Sequence, residues 1–134
     1  MQLGSKHAHF FYENGLKWSA LPVDIDSGHP PVFGYFLAVL WTVFGKTLPV
    51  SHFALLPFLW LNILLLWKIG HRLGGNKWGA FLPALIFIDP VLLGQSVMIS
   101  PDIVLLTGFL LALEGVWSRR NSFVVLGILV LCAI

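Results

Sequence analysis

Two carboxylates and an imidazole stand within one six-residue stretch, Asp24-Ile25-Asp26-Ser27-Gly28-His29, and the pair Pro30-Pro31 follows directly. Such a cluster could hold a divalent cation through its oxygens, or draw a proton from a hydroxyl and so activate it. Gly28 permits tight backbone geometry, and the prolines stiffen the exit. The same residues also suit a solvated turn entering a helix, with Asp26 or Ser27 as its cap. Asp102, after Ser100-Pro101, either faces the same cavity as Asp26 or caps the helix it opens, where the amide dipoles favour an anion. Asp89 before Pro90 reads as a helix terminator or as a carboxylate facing water or a partner. Gln95 and Ser96 suit a polar cavity wall or helix-to-helix hydrogen bonds, the latter preferred. Glu13 is a weaker catalytic candidate, placed on a short interfacial helix. His7, His9 and His29 lack the spacing with a cysteine that zinc requires. The lone Cys132 excludes a disulfide within the chain.

The elements that must position these residues are mostly apolar. Of the 134 residues, 57% are hydrophobic and only 10% carry charge, against about 25% in an ordinary globular domain. Mean hydropathy is +0.86. This composition excludes a disordered chain, a nucleic-acid-binding domain and an ordinary cytosolic enzyme, and reads as an all-α integral membrane protein. Residues 1–49 form a polar, aromatic-rich outer-face loop with a juxtamembrane helix over 32–45. That run is too short for the ~30 Å hydrocarbon core, which takes about 20 residues. Residues 50–134 carry the membrane helices, about 50–70, 78–96, 102–117 and a truncated 122–134. The chain reads as a fragment of a longer protein.

Charge sets the expected topology. One basic cluster holds Lys68, His71, Arg72 and Lys77, and a second holds Arg119 and Arg120. Basic turns stay on the cytoplasmic side. The two clusters are separated by two expected crossings, so both share that side. The turn before Asp102 then lies outside, and so does the loop with Asp24, Asp26 and His29, provided 32–45 does not cross. Glu114 is expected to pair with Arg119 or to reach the interface.

The stretch over 26–45, DSGHPPVFGYFLAVLWTVFG, resembles membrane glycosyltransferases of the protein O-mannosyltransferase and aminoarabinose-transferase kind, which have the GT-C fold. Asp26-Ser27-Gly28-His29-Pro30-Pro31 is similar to their Asp-x-His-Pro-Pro with one residue inserted. Gly70-His71-Arg72-Leu73-Gly74 is similar to their Gly-x-Arg-Leu turn, and Pro101-Asp102 to the Pro-Asp that opens a later helix. The resemblance implies a GT-C-type polytopic helical fragment with its site on the outer, periplasmic face of a bacterial inner membrane. It implies transfer of a sugar from a polyprenyl-phosphate donor to a protein or lipid acceptor. Asp26, Asp24 and Asp102 would be the catalytic carboxylates, and His29 would meet the donor phosphate. The family's principal acid lies at the end of a first membrane helix that this chain lacks, and a lysine of some relatives is replaced by His29. The fragment is therefore expected to be inactive alone.

The competing reading is a non-catalytic polytopic membrane subunit or transporter fragment, in which the carboxylates are caps and topology features. A third, acyl or phosphate transfer, wants a nucleophile or metal cluster that the sequence does not offer. No complete metal-ligand set is visible, and the few basic residues at helix ends give no nucleic-acid surface.

Overall fold

The computed structural model describes residues 3–26 and 30–134. These form eight α-helices: α1 (Leu3–Glu13), α2 (Val32–Phe44), α3 (Leu48–Phe53), α4 (Leu56–Gly74), α5 (Asn76–Ile88), α6 (Pro90–Val97), α7 (Asp102–Ser118) and α8 (Asn121–Cys132).

The first core cluster joins α1 to α2. Ala8 and Phe11 lie one turn apart on α1, and Phe33, Leu37 and Trp41 recur every fourth residue on α2; all five are buried. Phe11 and Leu37 are fully buried, and each contributes roughly 1.5–3 kcal/mol of apolar transfer. The Phe11 ring packs edge-on to Tyr35 at 5.3 Å and stacks on Trp18 at 5.7 Å. Two polar ties hold the connecting segment down. The His7 ring donates from Nε2 to the Ile25 carbonyl at 3.1 Å, and the Tyr35 hydroxyl donates to the Leu16 carbonyl at 3.1 Å. Ala54 and Leu55 from the turn between α3 and α4, Ile99 from the turn after α6, and Val104 of α7 close this core. Within it, the Trp41 indole N–H donates to the Ser51 hydroxyl at 2.8 Å, binding α2 to α3.

Consecutive helices pack in pairs, α4 on α5 and α7 on α8, while α4 and α7 run side by side in the same direction, Asn62 meeting Ile103 and Arg72 meeting Glu114. Gly75 alone separates α4 from α5, with φ 76°, a left-handed turn that glycine adopts without a Cβ clash. Leu65 and Ile69 of α4 meet Leu110 and Leu111 of α7 in a second core cluster. α7 turns into α8 through Arg119 in the left-handed region, where the Arg120 N–H bonds the Gly115 carbonyl at 2.9 Å. Glycines let these last two helices touch backbone to backbone: a Cβ on Gly127 would lie 2.6 Å from the Gly108 carbonyl oxygen.

This architecture corrects the polytopic reading. The expected crossing over 78–96 is two helices, α5 of 13 residues and α6 of 8, broken at Asp89-Pro90. Asp89 is the cap of α6: its Oδ1 accepts from the Val91 and Leu92 N–H groups at 2.8 and 3.1 Å. At 1.5 Å per residue α5 reaches roughly 20 Å, well short of a ~30 Å core. α8, with 12 residues, is shorter still. Among the described residues one helical run, Leu48–Gly74, is long and apolar enough to cross a membrane. A second exists only if α6 and α7, bent by 117° at their junction, are taken as one span. A four-crossing, GT-C-type integral membrane fold does not fit this set of helices. The multi-pass inner-membrane location and the sidedness inferred from the basic clusters go with it. What holds is an all-α chain.

Large apolar side chains also remain exposed on each of the eight helices, Trp60 at 64% and Phe44 at 68% among them. Apolar surface of this kind marks faces that dock against something.

Candidate functional site

The carboxylates singled out in the sequence lie on the surface. Asp24 is exposed in a turn over 23–25, where the Pro22 carbonyl accepts from the Ile25 and Asp26 N–H groups at 2.9 and 2.8 Å. Asp26 is exposed immediately after it. Asp102, also exposed, accepts from the Ser100 hydroxyl at 2.7 Å, a local bond at the start of α7. His29 lies outside the described residues. Neither Asp24, Asp26 nor Asp102 lines any of the cavities described below. Among the described residues no three of His, Cys, Asp and Glu come together to hold a metal ion.

Three other constellations are assembled. On the surface of α1, the Lys46 ammonium donates to His9 Nδ1. The other ring nitrogen of His9 therefore carries the proton and faces Glu13 Oε1 at 3.1 Å. Lys46 also sits over the Tyr12 and Trp41 rings at 5.6 and 5.5 Å. The Glu13 side chain is 62% exposed, and a surface contact of this kind contributes about 1 kcal/mol or less. This chain of groups ties α1 to the turn after α2. The second constellation pairs Arg72 of α4 with Glu114 of α7, Nη2 to Oε1 at 2.9 Å. Glu114 therefore pairs across the fold and not with Arg119. Its carboxylate is buried, and Arg72, read from sequence as a topology anchor, is its counter-ion.

The third is a cavity of about 670 Å³ between α3, the first half of α4, α6 and the start of α7. Phe53, Leu56, Leu59, Trp60, Ile63, Leu92, Leu93 and Leu106 make its wall almost wholly apolar. The volume falls within the ~300–1,000 Å³ of small-molecule pockets. Two polar side chains, Asn62 and Ser96, break the wall. Asn62 is 2% exposed, and its Nδ2 donates to the Ile103 carbonyl at 3.1 Å. A carbonyl only accepts, so this bond fixes the amide orientation and leaves Oδ1 as the outstanding acceptor. Oδ1 has no partner. The Thr107 hydroxyl donates to the same Ile103 carbonyl at 3.0 Å, and Ser96 donates to Leu93 O at 2.8 Å. Both hydroxyls thus already spend their protons on main-chain carbonyls.

Sequence reasoning missed Asn62. Its signal is a lone amide in the apolar run Leu59-Trp60-Leu61-Asn62-Ile63-Leu64. Buried amides are ordinarily hydrogen-bonded, so a side chain there needs a partner across the fold.

Comparison with known protein families, with curated proteins and with solved structures found no match. The resemblance to GT-C glycosyltransferases therefore finds no support in any of them, and the helix lengths contradict its fold. The reading as a sugar transferase acting on a polyprenyl-phosphate donor is withdrawn. The alternative of a polytopic subunit or transporter fragment falls with it, since it needs the same crossings.

Proposed function

We propose that this chain is a binding module for a small apolar molecule carrying a single hydroxyl or N–H donor. The observation that carries the reading is Asn62, a lining residue of the apolar cavity whose buried Oδ1 has no partner. Burial of the ligand's hydrocarbon surface drives association, at roughly 25 cal/mol per Å² removed from water. The donor sets orientation. A buried acceptor without a partner costs about 1–3 kcal/mol, and a ligand that supplies a proton removes that penalty. The cavity wall includes no carboxylate, imidazole, amine or thiol. The Ser96 hydroxyl in the wall donates to the Leu93 carbonyl and has no base in the lining to activate it, so the site favours binding over bond making.

The test compares 1-dodecanol with its methyl ether by equilibrium partitioning into the purified chain. The two have nearly the same apolar area and differ in the donor. The exposed apolar faces take up both alike, so the preference reports on the cavity. We expect the alcohol to bind about 3–10-fold more tightly, the equivalent of one net hydrogen bond. Asn62→Leu should erase the preference while retaining apolar uptake. Equal affinity for the two molecules in the native chain would overturn the proposal.

A further inference from the structure

The Arg72–Glu114 pair opens onto a second cavity, of about 390 Å³, at the shared end of α4 and α7. Its character is opposite to that of the first. Lys68, Arg72 and Arg120 place three fixed cations around it, and Glu114 is the one carboxylate in its lining, an excess of two positive charges. His71 adds an imidazole, stacked on Trp67 at 5.6 Å. Arg120 leans over the Phe123 ring at 5.7 Å, and the Ser118 hydroxyl donates to the Glu114 carbonyl at 2.6 Å. The C-terminal carbonyls of the two helices offset part of the positive charge, so cations alone at this end do not make a site. Glu114 makes the difference. The residue is 2% exposed, its Oε1 takes the Arg72 bond, and its Oε2 is buried with no partner.

A bare anion would meet the cations and leave Oε2 unanswered. A bare cation would meet Oε2 against an excess of like charge. A molecule with both ends satisfies both. We infer that this cavity binds a small phosphate ester that also carries an ammonium or hydroxyl group. Its phosphate lies among Arg72, Lys68 and Arg120, and its donor lies on Glu114 Oε2. Guanidinium groups suit the phosphate because their planar fork matches two oxygens at once. The site is separate from the apolar cavity and does not depend on what fills that one.

The experiment titrates the full chain by calorimetry with O-phosphoethanolamine, ethyl phosphate and inorganic phosphate at low salt. O-phosphoethanolamine should bind about tenfold more tightly than ethyl phosphate, as expected for one charge-assisted hydrogen bond. Lys68→Gln, at an exposed position, should weaken both esters several-fold and flatten their salt dependence. Glu114→Gln keeps an oxygen for Arg72 and should remove the preference between the esters without removing ethyl phosphate binding. The same phosphorylated amine occurs free and as a lipid headgroup. Competition of O-phosphoethanolamine with phosphatidylethanolamine vesicles, but not with phosphatidylcholine vesicles, assigns the headgroup; binding of the free ester without competition assigns a soluble metabolite. The inference is overturned if the native chain shows no saturable binding of O-phosphoethanolamine. A preference that survives Glu114→Gln equally overturns it.

Discussion

Replacing Gly127 by valine should destabilise the chain by about 3 kcal/mol, at the upper end of overpacking substitutions. The Cβ would arrive 2.5 Å from the Ala112 nitrogen and 2.6 Å from the Gly108 carbonyl oxygen, both backbone atoms that cannot swing aside. Gly115 sits in the same kind of contact, 2.5 Å from the Val124 nitrogen. Gly108 and Gly115 are seven residues apart, two helical turns, so they line one face of α7. Alanine at position 127 gives the finer test. In an open helix it would stabilise by about 1 kcal/mol over glycine. A fall in the thermal midpoint on Gly127→Ala therefore means that the steric term wins. A rise would mean that α7 and α8 are not this close.

Arg72→Ala should cost about 2–3 kcal/mol in chemical denaturation. It leaves the Glu114 carboxylate, 3% exposed, without its counter-ion. Breaking a fully buried pair costs about 3–5 kcal/mol; the Arg72 side chain is 40% exposed, which lowers the figure through solvent screening. The sign of the double substitution separates the causes. Arg72→Met with Glu114→Leu should recover most of the loss, because the penalty arises from the stranded charge and not from the missing attraction. If the double variant is as unstable as Arg72→Ala, packing of the arginine stem between α4 and α7 is the larger effect.

The punctuation of this fold is legible in the sequence. Pro31 and Gly45 bracket α2, Gly75 parts α4 from α5, and Asp89-Pro90 divides α5 from α6. All of these act through one or two residues. The number of membrane crossings was not legible, because a run such as 78–96 stays apolar on both sides of a break. Its hydropathy does not register that Asp89 caps a new helix, nor that the next junction bends by 117°. The α1 helix lies in a polar, aromatic segment where the sequence points only to a short interfacial helix about Glu13, because the prolines and glycine downstream break any long one. Its helix is held by tertiary contacts, with Phe11 between Trp18 and Tyr35.

The candidate sites show the same division. The Asp24–His29 cluster is conspicuous because its members are neighbours in the chain, but proximity in sequence says nothing about burial, and Asp24, Asp26 and Asp102 are exposed. The groups that the fold buries find partners far along the chain. Asn62 reaches Ile103, 41 residues away, and Glu114 reaches Arg72, 42 residues away. Only packing of α4 on α7 creates either pair.

The central claim is that the apolar cavity holds a ligand with its donor on Asn62. Photo-crosslinking with a diazirine-bearing long-chain alcohol, followed by peptide mapping, tests it most directly. The account predicts labelling concentrated on the cavity wall, at 53–63, 92–96 and 103–106, and displaced by excess 1-dodecanol. Labelling spread over the exposed apolar faces of α2 and α8, and undiminished by the competitor, would contradict it.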